Sequence, residues 1–382
     1  MVYRVIGIMS GSSLDGLDIA FIELQQTRGQ WNYEMLHGDC IPYSDEWKEK
    51  LSSAHRLPAL EYQLLHVEYG HFIGKKVNEF INKHQLEYKV QLIASHGHTV
   101  FHAPSKLMTA QLGDGAAIAA ETSINVVSDL RSMDVALGGH GAPIVPVGEQ
   151  RLLSDYTFFL NLGGIANLSY NRPDGYIAFD VCPANRVLNM LVRKEGKAYD
   201  ENGAMASTGK VHEDLLQTLN QLEYYSLPYP KSLSNAFGTD TVYPILDNSA
   251  PTADLLRTYV EHIAMQVKRS LEPLLIDGVQ KLRGDAESKL PVDGGSQLPG
   301  NENAKLLVTG GGAHNHFLVE RIKQQLSVLP VEVVVPSPEL VDYKEAIIMG
   351  FIGLLRWREE ANVFASVTGA SRNSIGGAVW LG

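Results

Sequence analysis

The hydrophobic and polar positions of this chain predict short buried strands separated by turns of small residues. Apolar runs at residues 3–9 and 17–24 flank the first such turn, and a third run at 31–36 completes a meander. Apolar residues at helical spacing follow at 60–84, then a strand-like run at 90–94, an alanine-rich helix ending near Glu121 and a strand at 125–130. Three strands, helix, strand, helix and strand in this order are typical of a mixed α/β layer.

The same pattern recurs in the second half of the chain. Runs at 156–162, 165–170 and 176–179 predict another three-stranded meander. After a long helix predicted at 252–275 come a strand at 305–309, a helix at 315–326 and a strand at 331–335. The repeat lies in the pattern rather than in residue identity. It predicts an α/β protein of two duplicated domains whose mixed sheets face each other across a cleft.

A glycine-dense stretch at 138–143 is expected to cross between the two domains. We therefore predict a first domain at 1–142, with residues 365–382 packing back on it, and a second domain at 143–364. Residues 277–303 are rich in Gly, Pro, Ser, Asn and charge, which predicts a flexible surface insertion.

Composition narrows the possible partners. With 382 residues the chain is long enough for two domains, and its 45% hydrophobic and 20% charged content is that of a soluble globular protein. A formal net charge of −11 argues against nucleic acid or an anionic membrane surface as a general partner. The two cysteines, Cys40 and Cys182, make no disulfide framework, and the N-terminus lacks a signal-peptide core, so we expect a cytoplasmic protein.

The turn after the first strand carries the first candidate chemistry. Gly11 and Gly16 would let the backbone approach a ligand, and the N–H groups of the turn with nearby hydroxyls can form an anion site. Asp15 and Asp18 suggest Mg²⁺ held through nucleotide phosphates or water. The turn lacks the Gly-Lys-Ser/Thr of a Walker loop, and a plain hairpin turn remains the alternative. The residues assigned to the nucleotide here are Gly11, Ser12, Ser13, Leu14, Asp15, Gly16, Leu17 and Asp18.

Two further glycine turns are candidates for phosphate contact. Gly163 and Gly164 occupy the equivalent hairpin of the second half, so that phosphate would be held by a hairpin from each domain. Gly310, Gly311 and Gly312 lie between a predicted strand and a helix N-terminus, where free N–H groups and the helix dipole attract phosphate. Close strand–helix packing is the alternative explanation for these three glycines.

The histidines at 96, 98 and 102 raise the question of zinc. Their spacing matches none of the standard zinc patterns, and we favour a loop that crosses the strand ends and lines a pocket.

Several stretches together resemble the anhydro-N-acetylmuramic acid kinase family. They occur in the family's order and cover nearly the whole chain. The matching stretches are residues 9–18, 95–99, 111–114, 138–143, 161–167, 179–180, 310–315, 345–346 and 366–370.

The resemblance implies the two-domain actin-like (ribonuclease H-like) fold shared with hexokinase and heat-shock chaperone ATPases. It also implies that ATP phosphorylates 1,6-anhydro-N-acetylmuramic acid at O6 while water opens the anhydro ring, a reaction of cell-wall recycling and amino-sugar degradation. In the family, the segment matching residues 11–18 binds ATP, and the aspartate matching Asp180 is the catalytic base. A homodimer is left open.

On the substrate side we place His98, Arg131, Asn185 and Glu345, with Arg131 as partner of the lactyl carboxylate and Glu345 as partner of the sugar hydroxyls. The chain departs from the family here. Residues 182–185 read Cys-Pro-Ala-Asn where Gly-Pro-Gly-Asn is usual, residues 233–236 replace Thr-Gly-Arg-Glu, and His98 stands where glutamine is common. A hydroxyl-directed sugar kinase and a nucleotide-gated binding protein are the alternative functions.

Overall fold

The computed structural model describes residues 1–11, 14–172, 175–229, 231–234, 236–246, 250–285 and 304–382, the side chains of 276–285 excepted. The chain forms two compact units. The first comprises Met1–Ser154 and Tyr343–Gly382, and the second comprises Asp155–Asp342. The borders predicted from the sequence differ from these, because residues 143–154 and 343–364 belong to the first unit by their contacts.

The first unit is built around one six-stranded sheet and has a separate two-stranded sheet, formed by His98–Ala103 with Met108–Leu112. Its strands are β1 (Val2–Ser10), β2 (Gly16–Thr27), β3 (Gln30–Pro42), β4 (Leu92–Ser95), β5 (His98–Ala103), β6 (Met108–Leu112), β7 (Val126–Ser128) and, near the C-terminus, β13 (Ala378–Trp380). Its helices are α1 (Asp45–Ser53), α2 (Ala59–His84), α3 (Gly115–Thr122), α4 (Ser132–Ala136), α5 (Pro146–Leu152) and α13 (Ala365–Thr368). Helix α12 (Pro338–Trp357) begins in the residues of the second unit and continues into the first.

Strand β1 lies in the middle of this sheet, whose order is β13-β7-β4-β1-β2-β3. It pairs antiparallel with β2 and parallel with β4, and Val5, Ile6 and Ile8 are fully buried. Helix α2 adds Tyr69 and Ile73 to the core from one face, while Leu60, Leu64 and Val67, which the apolar spacing placed on the buried side, are exposed. The sheet therefore fixes the position of the end of β1. We call the turn that follows, residues 11–16, the opening turn.

The second unit repeats this plan. Its strands are β8 (Phe158–Leu162), β9 (Ile165–Arg172), β10 (Gly175–Pro183), β11 (Ala304–Thr309) and β12 (Val331–Val334). Its helices are α6 (Asn185–Val192), α7 (Ala204–Thr208), α8 (Glu213–Asn220), α9 (Tyr243–Leu246), α10 (Thr252–Asp285) and α11 (His316–Leu326). The sheet order is β10-β9-β8-β11-β12, and α10 contributes Leu256, Tyr259 and Ile263 to its core.

The two sheets share one topology. In each, three antiparallel strands form a meander, and the first of them pairs in parallel with a fourth strand, which pairs in parallel with a fifth. This 3-2-1-4-5 order is that of a ribonuclease H-like domain. The predicted fold class, two actin-like α/β domains with mixed sheets, is therefore confirmed. No helix among the described residues has both the length and the apolarity needed to cross a bilayer.

Two predictions from the pattern were wrong. The segment expected as a loop after His96 forms the hairpin β5–β6, in which Thr99 pairs with Gln111, because its β-branched and aromatic residues favour a strand. Helix α10 extends to Asp285 rather than ending at 275, since residues 279–283 are mostly good helix formers despite Gly278. The predicted insertion at 277–303 is thus helical at its start, and residues 286–303 lie outside the described residues.

Candidate active site

The opening turn follows the buried end of β1. Its backbone closes through the N–H of Leu14, which donates to the carbonyl of Gly11 at 3.4 Å with Leu14 in the left-handed region (φ 57°). The exposed Asp15 accepts from the N–H of Gly16 at 3.0 Å. Ser12 and Ser13, which we assigned to the nucleotide, lie outside the described residues.

A chain of buried hydroxyls lies behind this turn. The hydroxyl of Tyr43 donates to Ser10 Oγ at 2.8 Å and shares a 2.6 Å hydrogen bond with the Tyr69 hydroxyl. Ser10 Oγ lies 3.2 Å from Nδ1 of His98. Because Tyr43 donates to it, the Ser10 hydroxyl can donate its own proton to Nδ1 of His98, and in that tautomer Nε2 carries the N–H. Burial lowers the pKa of His98 to about 4, so the ring is neutral at physiological pH.

Arg131 lies at the end of the loop that follows β7. Its Nε donates to Nε2 of His96 at 2.7 Å, and its Nη1 donates to the carbonyl of Gly141 at 2.6 Å. Burial lowers the pKa of Arg131 to about 10, while the charges of Glu345 and Asp134 raise it, so both carboxylates lie near the guanidinium. Arg131 and Glu345, two of the residues assigned to the sugar, thus interact electrostatically.

Asp134 is a residue that sequence reasoning missed. It is fully buried, and its carboxylate accepts from the N–H of Gly141 at 2.8 Å and from the hydroxyl of Thr368 at 2.7 Å. It therefore ties the glycine-dense loop to the C-terminal Ser-Val-Thr-Gly stretch. The only signal in the sequence was an acidic residue three positions after Arg131.

Asp180 stands in β10 of the second unit, beside a bulge between Asp180 and Cys182. One carboxylate oxygen accepts from the side-chain amide of Asn167, its cross-strand neighbour. The other accepts from the N–H of Leu233 at 2.6 Å and from Ser232 Oγ at 3.1 Å. Burial raises the pKa of the Asp180 carboxyl, and the three hydrogen bonds oppose that shift.

The Gly163–Gly164 hairpin is braced by the start of α6. The N–H groups of Ala184 and Asn185 donate to the carbonyls of Gly164 and Gly163, at 2.8 and 3.1 Å. The Asn185 side chain donates to the carbonyl of Leu162 at 2.9 Å, which places this predicted sugar ligand against the glycine turns.

Arg186, also missed from the sequence, lies beside the same hairpin. A Cβ at Gly164 would lie 3.9 Å from Nε of Arg186, and this buried Nε has no hydrogen-bond partner among the described residues. An arginine with an unsatisfied donor at a glycine turn is suited to a phosphate oxygen.

At the last glycine turn, residues 310–312, the structure distinguishes the glycines that packing requires from those that it does not. A Cβ at Gly312 would come within 2.6 Å of Leu162 Cβ, and Gly310 has a φ of 81°, so close packing and backbone conformation account for both. A Cβ at Gly311 would come no closer than 3.8 Å to Nδ2 of Asn185. Neither packing nor conformation requires glycine at 311, or at Gly163, where the nearest contact would be 3.4 Å.

The predicted residues thus fall into two sets. The first unit holds residues 11–18 with His98, Arg131 and Glu345, and the second holds Asp180 and Asn185 with the two other glycine turns. No cluster of three metal-ligating side chains occurs in the part of the chain that the structure describes. The histidines at 96, 98 and 102 bond separately, to Arg131, Ser10 and Thr109. Asp15 and Asp18 are hard oxygen donors of the kind that suits Mg²⁺ with phosphate.

Comparison with known proteins identifies the family. The profile of the anhydro-N-acetylmuramic acid kinases matches residues 3–297 and 292–382. The anhydro-N-acetylmuramic acid kinase of Pasteurella multocida is 32% identical over 391 residues, which cover 98% of this chain and 96% of that protein. The protein of the same name from Zymomonas mobilis is 40% identical over 250 residues, 60% of this chain and 67% of that one. A hexokinase from Schistosoma mansoni complexed with glucose covers 92% of this chain and 85% of its own at 10% identity, with a TM-score of 0.40 that is too low to support a conclusion. The full-length profile match and these identities together show that the chain belongs to the anhydro-N-acetylmuramic acid kinase family, and that it is a kinase.

Proposed function

We propose that this protein transfers the γ-phosphoryl group of ATP to O6 of 1,6-anhydro-N-acetylmuramic acid while water opens the anhydro ring. The product is N-acetylmuramic acid 6-phosphate, and the reaction belongs to cell-wall recycling and amino-sugar degradation. Family membership supports the reaction type. The observation that carries the proposal is the carboxylate of Asp180, held by three donors and made more basic by burial.

The substrate dictates what the base must do. O6 of a 1,6-anhydro sugar is already bonded to the anomeric carbon and has no proton to remove. A base can help only by deprotonating a water that attacks the anomeric carbon, as in inverting glycosidases. The bond from that carbon to O6 then breaks, and O6 takes the phosphoryl group, which replaces the proton that a general acid would supply.

Asp180 suits this role on its geometry. An ionised carboxylate offers about four acceptor positions, and three are used by Asn167, Ser232 and Leu233. The remaining position can accept a proton from water, while the three bonds prevent the side chain from turning. The raised pKa brings the carboxyl nearer to the working pH of a general base.

The glycine turns supply the ATP contacts in this proposal. Space for a Cβ at Gly163 and Gly311 leaves close approach of phosphate as the reason for glycine there, and Arg186 adds a cation. We assign the same role to the N–H groups of the opening turn. Asp15 and Asp18 would hold Mg²⁺ through phosphate or water, and the ion would neutralise charge on the transferred phosphoryl group.

The sugar would be recognised by polar groups of the first unit. Arg131 is the cation for the lactyl carboxylate, and Glu345 accepts from sugar hydroxyls. The N–H at Nε2 of His98 is a neutral donor, as the side-chain amide of a glutamine would be at that position. Asn185 would contact the sugar through the second N–H and the oxygen of its side-chain amide, since the bond to Leu162 uses one N–H.

The test is to compare ADP release with the anhydro sugar, with open-ring N-acetylmuramic acid and with no sugar. Turnover should need the anhydro sugar and should yield the 6-phosphate. Equal or faster turnover of the open-ring sugar would favour a hydroxyl-directed kinase, and turnover indifferent to sugar would favour a nucleotide-gated binding protein.

A further inference from the structure

Arg131 is bound by neutral acceptors. Two of its five N–H donors are used, one by an imidazole nitrogen of His96 at 2.7 Å and one by the carbonyl of Gly141 at 2.6 Å. Neither acceptor carries a charge. The guanidinium is therefore oriented by the protein without being neutralised at either contact.

Other arginines of the protein form ion pairs with carboxylates. Arg4 lies 3.1 Å from Glu23, Arg358 lies 2.6 Å from Glu360 and Arg321 lies 2.8 Å from Glu261. Within the described residues no carboxylate comes within 4 Å of the Arg131 guanidinium. A largely buried arginine without an ion-pair partner is costly, and a bound anion would reduce that cost.

The two carboxylates nearby do not fill this role. One carboxylate oxygen of Asp134 accepts a hydrogen bond from the N–H of Gly141, and the other accepts one from the hydroxyl of Thr368. Glu345 acts on Arg131 through its field rather than through an ion pair. Both make the cation easier to keep charged, yet they leave its remaining N–H donors for a ligand.

The tautomer of His96 is set by its second nitrogen. Nδ1 lies 2.8 Å from the carbonyl of Gly97, which can only accept, so Nδ1 carries the proton. Nε2 then offers a lone pair to the N–H of Arg131. The ring is 3% exposed, and a protonated imidazole could not accept this bond.

We propose that His96 is a positioning residue that orients Arg131 without forming an ion pair with it, so that the site selects a sugar bearing a carboxylate. The inference rests on the proposed function for the identity of that sugar. A carboxylate in place of His96 would hold the arginine equally well but would cancel the charge on which selection depends.

A matched pair of variants separates orientation from charge. His96→Gln and His96→Glu both place an acceptor oxygen near the position of Nε2, and they differ only in charge. The probes are 1,6-anhydro-N-acetylmuramic acid and its lactyl methylamide, with Kd measured by calorimetry. Wild type should prefer the acid by ~10- to 100-fold, the range of a charge-assisted hydrogen bond. His96→Gln should keep most of that preference, and His96→Glu should lose it through weaker binding of the acid alone.

Two further measurements complete the test. His55→Gln, a substitution of an exposed histidine bonded to the carbonyl of Ser52, should change neither Kd. If His96→Glu does not fold, ¹⁵N chemical shifts of the wild-type ring decide, and they should show the proton on Nδ1.

Each other outcome contradicts the inference. Equal preference in the Gln and Glu variants, or a proton on Nε2, would overturn it while the proposed function stands. A wild-type protein that binds neither sugar would overturn the proposed function and the inference together.

Discussion

Replacing Asp180 by asparagine removes the proposed base with little change of shape. Both carboxylate oxygens now accept hydrogen bonds, one from Asn167 and the other from Ser232 and Leu233. In Asp180→Asn the amide oxygen can keep the latter two bonds. The amide NH₂ would then face Asn167, whose own side chain can rotate by 180° and present its oxygen instead.

The structural cost of this change is small beside the catalytic one. One rearranged hydrogen bond amounts to ~1 kcal/mol of stability. Loss of a general base costs on the order of 10² to 10⁴ in rate, or about 3 to 5 kcal/mol of transition-state stabilisation. We therefore expect kcat to fall by that factor while the Kd values for ATP and sugar stay within about fivefold.

The assay follows ADP release and ring opening in parallel, with calorimetry for both ligands and circular dichroism for the fold. Ring opening and phosphorylation should decline together, because one concerted step carries both. A folded Asp180→Asn protein with a rate near that of wild type would refute the assignment of the base. So would a variant in which ring opening continues without phosphorylation.

Three further predictions follow from the site and the core. Ser232→Ala removes a hydrogen bond that lowers the pKa of the base, so the acid limb of the kcat/KM profile should move to higher pH, and an unmoved limb would contradict this. Gly311→Ala should weaken ATP binding in calorimetry at unchanged thermal stability, whereas Gly312→Ala should lower the melting temperature. A lower melting temperature of Gly311→Ala with unchanged ATP binding would indicate that packing requires glycine at both positions. The thermal midpoint should fall as pH drops from 6.5 towards 4, because His96, His98 and His262, with pKa values of about 3, 4 and 3, stay neutral in the folded protein. The same histidines take up protons in the unfolded chain, which lowers the free energy of unfolding by about 1.4 kcal/mol per pH unit for each ring. A midpoint that stays constant over that pH range would contradict these pKa values.

The strands and turns could be predicted from the sequence because their signals are local. Buried runs such as residues 3–9 and 156–162 and the glycine turns beside them appear in the structure at the ends of β1, β8 and β11. The two duplicated domains with mixed sheets followed from the repeat of the meander and from the family resemblance, whereas the 3-2-1-4-5 strand order comes from the structure. Helix α2, with its regular apolar spacing, was placed to within a residue at its start.

The polar interior could not be predicted, because its contacts join distant parts of the chain. The hydroxyl of Thr368 reaches Asp134 across 234 positions, and Lys344 pairs with Glu149 across 195. No spacing rule relates such residues. The sequence shows three identical glycines, so only the structure reveals that packing requires glycine at 312 but not at 311.

The central claim is that water, activated by Asp180, attacks the anomeric carbon while O6 takes the phosphoryl group. Reaction with ATP and 1,6-anhydro-N-acetylmuramic acid in ¹⁸O-labelled water tests it most directly, with the product analysed by mass spectrometry before the anomeric oxygen exchanges. We expect one label on the anomeric carbon and none in the phosphate. Label in the phosphate, or an unlabelled sugar 6-phosphate, would contradict it.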